Sequence, residues 1–171
     1  MMADGREGGT GDGNLRHAAL CIPVRGEPVS EILLGYKKAG FGAGKLDGFG
    51  GKVEPGETVV QAAARELWEE AGLTVAVEAL EPVAELTFLF TYRPEWSQVV
   101  HVFLARTWDA EPVETVEMAP EWFCVEDIPY ERMWQDDRHW LLRVLAGERL
   151  RGRFVFGEDN ETACEVELWA W

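Results

Sequence analysis

Three glutamates, Glu66, Glu69 and Glu70, fall within two turns of one predicted helix in the stretch GKVEPGETVVQAAARELWEEAGL, residues 51–73, with Glu57 just upstream. Carboxylates this close repel one another, but a like-charged i, i+4 pair costs only ~0.2–0.5 kcal/mol. A solvated acidic face would tolerate that. The alternative chemistry is a divalent cation, because magnesium and calcium take oxygen ligands, and magnesium combines one or two carboxylates with substrate phosphates and water. The preceding segment GKLDGFGGK, residues 44–52, favours the cation. Its glycines let backbone N–H groups approach anionic oxygens, and Lys45 and Lys52 add positive charge to an acidic chain. A flexible loop would explain this segment by itself. A Gly/Lys loop running straight into an acidic helix points to phosphate held against a metal.

The elements that must position these residues are legible nearby. Pro55-Gly56 is a turn, and Thr58 followed by Gln61 is a capping box that starts a helix near Val59. Gly72 is its C-cap. Val60, Ala63, Leu67 and Ala71 share one face, with Glu66 and Glu70 stacked on an adjoining face and Trp68 pointing elsewhere. A second helix is predicted over DDRHWLLRVLAGE, with Trp140, Leu141, Val144 and Leu145 on one face and Gly147 able to end it. Strands are predicted over 17–24, 31–37, around 48–54, 83–92, 98–106, 121–125, 152–157 and 163–169. Strands carrying two helices give an α+β class. No internal repeat or interdomain linker interrupts the chain.

Residues 51–73 resemble the Nudix box. Gly51, Glu57, Arg65, Glu66, Leu67, Glu69, Glu70, Gly72 and Leu73 occupy every fixed position of that long motif. Further stretches resemble the eukaryotic MutT-type oxidised purine nucleoside triphosphate hydrolases: LLGYKKAGFGAGKLDGFGGKV at 33–53, VHVF at 100–103, PVETVEMAPEWF at 112–123, IPYERMWQDDRHW at 128–140 and GRFVF at 152–156. The resemblance implies the Nudix fold, a mixed β-sheet packed between α-helices. It also implies Mg²⁺-dependent hydrolysis of a nucleoside triphosphate, with water attacking the β-phosphorus to give a monophosphate and pyrophosphate.

Metal ligands are then expected at Glu66, Glu69 and Glu70, with the Gly50 carbonyl and Glu117 added by the resemblance. Without it, Glu117 reads as an exposed loop residue. Glu69, Glu70, Arg65 and Glu117 form the expected catalytic set, Arg65 orienting carboxylates and Glu57 holding Arg65 and its loop. Lys52 is a candidate phosphate contact. Phe88 and Phe90 share one side of a strand, where core packing is the ordinary role; they are assigned to the substrate side together with Phe41, a pocket wall by resemblance. An indole at Trp134 can stack on a purine, and Asp136 and Asp137 can read its edge. The same aspartates could instead cap a helix start. Residue chemistry leaves both open, and the resemblance favours base recognition. Adjacent buried carboxyls would share a proton. Asp47 departs from the resembling group, which carries asparagine there. Asn both donates and accepts, whereas ionised Asp only accepts.

Composition sets limits. The 171 residues carry 31 acidic against 16 basic residues, a net charge of −15, which disfavours binding to a nucleic acid polymer and leaves a free nucleotide as partner. Cys21, Cys124 and Cys164 are scattered and read as buried thiols of a reducing compartment, so a cytoplasmic setting, extending to the nucleus, is expected. No run is long enough for a transmembrane helix. Residues 1–15 read as a disordered tail and 16–171 as one domain, expected to be monomeric. His17, His101 and His139 lack ligand spacing, with His101 reading as structural. RLRGR near 149–153 reads as a solvated turn. Two other functions fit the same motifs: a Nudix hydrolase for another nucleoside diphosphate derivative, and a catalytically silent Nudix binding domain.

Overall fold

The computed structural model describes residues 14–171, so almost all of the expected tail lies outside the described residues. Among the described residues, nine strands join in one mixed sheet. They are β1 (Arg16–Arg25), β2 (Glu31–Lys37), β3 (Leu46–Asp47), β4 (Phe49–Lys52), β5 (Leu80–Phe90), β6 (Gln98–Ala105), β7 (Met118–Cys124), β8 (Leu150–Phe156) and β9 (Ala163–Ala170). The path runs β3-β2-β1-β6-β5-β8-β9, with β4 pairing β1 and β7 pairing β2. The β1–β6 and β5–β8 pairs are parallel and the remaining pairs antiparallel. Strand β1 divides its edge: Ala18–Cys21 pair with β4, while Val24 and Arg25 pair with β2.

Alternation along the strands sends side chains to two cores. Ile22, Leu86, Val102 and Phe154 pack on one face with Trp140 and Leu141 of α2 (Asp137–Leu145). Cys21, Leu33, Phe49 and Phe103 pack on the other with Ala63 and Leu67 of α1 (Val59–Ala71). The sheet therefore lies between its two helices. Helix α1 starts at the expected capping box, Gln61 N donating to Thr58 Oγ1 at 3.2 Å and Thr58 N to Gln61 Oε1 at 2.8 Å. It ends at Gly72, whose φ of 70° is the left-handed turn expected there.

Several boundaries differ from expectation. The segment around 48–54 is two short strands broken at Gly48. The 83–92 strand begins at Leu80, and the 121–125 strand begins at Met118. RLRGR is not a turn: Leu150–Arg153 open β8, whose Leu150 is buried. On α1 the buried stripe takes Ala62 with Ala63, Leu67 and Ala71, while Val60 is only half-buried. The thiols divide as well. Cys21 is buried, with burial pushing it up to about 12, but Cys124, the last residue of β7, and Cys164, near the start of β9 where the register with β8 shifts, are exposed. Among the described residues, no helix is long and apolar enough to cross a membrane.

Leu67 is the largest side chain that α1 buries completely. Leu67→Ala is expected to cost ~2–5 kcal/mol through lost burial and a residual cavity. Chemical denaturation would measure it, and a loss below about 1 kcal/mol would mean that α1 is not anchored through this residue.

Candidate active site

Two glycines allow the site to assemble. A Cβ at Gly50 would collide with the Ala19 carbonyl, and one at Gly51 with the Glu66 carboxylate. Bare backbone therefore lets β4 lie between β1 and α1. Gly50 N donates to Glu70 Oε1 at 2.7 Å, fixing that carboxylate beside the strand. Glu70 is 2% exposed. Burial, then the Glu66 and Glu117 charges, push its pKa up to about 8 against the opposing Gly50 hydrogen bond and Lys37 charge. Burial also raises Glu66, with Glu69 and Glu117 adding to the effect and Arg65 opposing it.

Arg65 organises the flank of this cluster. It donates to Glu57 Oε1 at 2.7 Å and Oε2 at 3.0 Å, to Glu66 Oε1 at 2.9 Å, to Glu69 Oε2 at 3.2 Å and to the Lys52 carbonyl at 3.1 Å. These bonds hold the Arg65 guanidinium above its ordinary pKa and Glu57 below its own. Glu57 also accepts from Glu54 N at 2.8 Å, closing the turn before α1.

Glu117 is distant in sequence from α1, yet its charge reaches Glu66 and Glu70. Thr115 brings it there: its Oγ1 donates to the Glu70 carbonyl at 3.0 Å. Lys38 donates to the Thr115 carbonyl at 2.7 Å and pairs with Glu114 at 2.6 Å. Among the described residues, no three acidic, histidine or cysteine side chains form a ready-made cation cage. The donor set nevertheless fits a hard divalent ion. Glu66 and Glu117 raise the cost of ionising Glu70, and a cation there would relieve it. Glu69 is exposed, and Glu117 is exposed on its loop.

Beside Gly50 and Glu70 lies a cavity of about 260 Å³. Phe41, Phe88, Phe90 and Trp134 line it, with Asp47, Asp136 and Asp137 grouped at one end and Lys37 and Lys52 also on its wall. Phe41 stacks on Trp134 with ring centroids 5.1 Å apart and meets Trp96 edge-on at 5.1 Å. Phe88 also stacks on Phe154 in the core at 5.2 Å, so it belongs to both cavity and core.

Asp136 and Asp137 are each 4% exposed. Capping does not account for Asp136: it makes no capping hydrogen bond, and its Oδ2 accepts from Trp140 Nε1 at 3.0 Å. Asp137 Oδ2 is buried with no hydrogen-bond partner among the described residues. Burial raises Asp136 to about 7, Asp47 to about 6 and Asp137 well above the usual carboxylate range. The neighbouring carboxyls add to the rise of both helix aspartates. Gly48 N donates to Asp47 Oδ1 at 2.7 Å.

Lys37 and Trp140 are among the groups at the site that were not read from the sequence. Lys37 lowers both Asp47 and Glu70 and lines the cavity with them, although nothing distinguishes it from Lys38 in the sequence. Trp140 read as core, but its i, i+4 spacing from Asp136 was an available signal. Lys45, in contrast, is pinned beside the aromatic wall. Its Nζ pairs with Glu161 at 2.9 Å and lies 4.9 Å from the Trp134 ring centroid. His101 is bonded to His17 at 2.9 Å, away from the carboxylates of the site.

Because the buried carboxyls are raised, the folded chain keeps protons that the unfolded chain releases above about pH 4. Their stabilising contribution is complete below that pH and is lost as pH rises through about 6 to 8. The metal-free protein is therefore expected to melt at lower temperature at pH 8 than at pH 5. A divalent cation should raise the melting temperature more at pH 8. Equal melting at both pH values without metal would remove this account of the buried acids.

Residues 14–144 match the NUDIX domain family. The chain is 48% identical over 129 residues to an oxidized purine nucleoside triphosphate hydrolase of Danio rerio, covering 75% of this chain and 81% of that protein. It is 42% identical over 137 residues to the Mus musculus protein of the same name, covering 80% and 85%. A MutT protein of Bacillus halodurans has a similar structure, with a TM-score of 0.76 at 25% identity over 90% of this chain and 97% of that one.

Proposed function

The chain belongs to the Nudix family, and from that premise we propose that it hydrolyses oxidised purine nucleoside triphosphates to a monophosphate and pyrophosphate. The observation that carries this reading is one continuous cavity. It joins an aromatic and carboxylic end, suited to a purine, to the Gly50–Glu70 rim, suited to phosphate and cation. The names of the fish and mouse relatives support the same substrate class. The net charge of −15 supports a free nucleotide over a polymer.

Trp134 and Phe41 would wall in the base, while Asp136, Asp137 and Asp47 meet its hydrogen-bonding edge. A protonated carboxyl donates and an ionised one accepts. Glu66, Glu69, Glu70, Glu117 and the Gly50 carbonyl are the groups that would hold Mg²⁺. When bound, Mg²⁺ supplies charge neutralisation and a more acidic water. The chain's own part is to orient the carboxylates through Arg65, present Lys52 to phosphate and accept a proton from water on a carboxylate. The water oxygen bonds to the β-phosphorus. The bond from that phosphorus to the α–β bridging oxygen breaks, and this oxygen leaves with the monophosphate.

Pyrophosphate release from 8-oxo-dGTP, 2-hydroxy-dATP and dGTP, with Mg²⁺ and with chelator, tests the proposal. A metal-dependent preference for an oxidised purine is expected. Turnover on another nucleoside diphosphate derivative instead would move the substrate assignment, and no turnover on any would favour a binding domain. Glu70→Gln should keep its fold by circular dichroism and lose about 100-fold or more in kcat; full activity would exclude Glu70 from the chemistry. Asp47→Asn adds a donor at the base end, so it should change the ratio of kcat/KM between 8-oxo-dGTP and 2-hydroxy-dATP. An unchanged ratio would place Asp47 away from the base edge.

A further inference from the structure

Arg16 opens β1 and has no role in the chemistry described so far. Its side chain lines the active-site cavity together with Gln98, which lies opposite it on the parallel strand β6. Arg16 is half-buried, and its Nε is sealed from solvent with no hydrogen-bond partner among the described residues. Elsewhere the arginines settle their charge. Arg65, Arg106, Arg143, Arg151 and Arg153 each face a carboxylate, and Arg25 lies over the Trp122 ring. Arg132, Arg138 and Arg149 are exposed to water. Arg16 has neither a carboxylate partner among the described residues nor full hydration. A guanidinium in that position leaves its buried Nε donor unmet, at a cost that an arriving anion would offset.

The strand register shows which anion. Along β1, Gly48 lies against Ile22, Gly50 is opposite Leu20, and Lys52 is opposite Ala18. Arg16 follows on the same face, four residues or ~13 Å of strand beyond Leu20. The order along the cavity is thus the aspartate end, the Gly50–Glu70 rim, then Lys52 and Arg16. On a nucleotide with its base at the aspartates and its reacting phosphates at the rim, the Lys52–Arg16 end faces the phosphates furthest from the base.

We propose that Arg16 is a specificity residue that binds the terminal phosphate of the nucleoside triphosphate. A guanidinium presents a planar fork of donors matched to two phosphate oxygens. The contact would favour triphosphates over monophosphates and release the shorter product. This rests on the proposed substrate class, and the test keeps the two separate by measuring binding without turnover.

The probe is the α,β-methylene analogue of 8-oxo-dGTP, in which the bond to be broken is replaced, titrated calorimetrically with Mg²⁺ alongside 8-oxo-dGMP. Arg16→Ala should weaken the analogue about tenfold or more and leave monophosphate binding within about twofold. Arg16→Lys, which keeps charge but loses the fork, should fall between. Equal weakening of both ligands, or no change in either, would overturn the proposal. Arg16→Lys with wild-type melting guards against a folding defect in the alanine variant. A wild-type protein that binds the undamaged dGTP analogue as tightly, with the Arg16 effect intact, would overturn the oxidised-purine reading and leave Arg16 at the terminal phosphate.

Discussion

The whole site depends on how closely the backbone of β4 approaches β1 on one side and α1 on the other. A side chain at Gly50 would strike the Ala19 carbonyl, and one at Gly51 would strike the Glu66 carboxylate. With both absent, one N–H can reach Glu70 at 2.7 Å. That bond ties the acidic stripe of α1 to the sheet and sets the rim of the cavity. The capping box and the Leu67 side of α1 then act as the fixed base from which these carboxylates are aimed. The glycines of this motif are therefore a packing requirement before they are a phosphate cradle.

Charge is managed differently along that contact. On its solvent side, Arg65 binds Glu57, Glu66 and Glu69 together and settles part of their repulsion within the chain. On its inner side, Glu70 faces Glu66 and Glu117 with a backbone N–H and the Lys37 charge in compensation. The deficit is largest where substrate phosphates and a cation would meet. Thr115 adds a long-range constraint: by bonding the Glu70 carbonyl it carries Glu117 to the end of α1. Removing one acid from such a group changes the ionisation of the rest, so effects at Glu66, Glu70 and Glu117 should not add.

Local features were the legible ones. Thr58, Gln61 and Gly72 fixed the ends of α1 because capping chemistry acts over one turn, and alternating apolar residues marked most strands. The Nudix box was legible for the same reason, since its residues act across one loop and one helix. Features set by tertiary packing were not. Lys37 looks like Lys38 until the sheet turns one inward and lets the other bind Thr115 and Glu114. RLRGR looked like a turn because its charges hid the alternation of β8. The three thiols looked alike, although packing buries Cys21 in the core and leaves Cys124 and Cys164 exposed near strand ends. Asp136 offered helix capping and base reading equally, and the bond to Trp140 removes the first.

The cavity contains two kinds of carboxyl whose difference follows from their neighbours. Asp136 and Asp137 face other carboxyls and aromatic rings, where burial is answered most cheaply by keeping protons. Glu66 and Glu70 face an open rim, where a divalent ion can replace those protons. Lys52 and Arg16 lie beyond the rim, so the wall changes from proton-sharing acids, through cation-seeking acids, to cations with no carboxylate partner among the described residues. That order gives the cavity a direction. A purine nucleotide entering base-first meets donors and acceptors at its ring and positive charge at its phosphates. Entering the other way, it would set phosphate oxygens against Asp136 and Asp137, where like charge and lost hydration oppose it together.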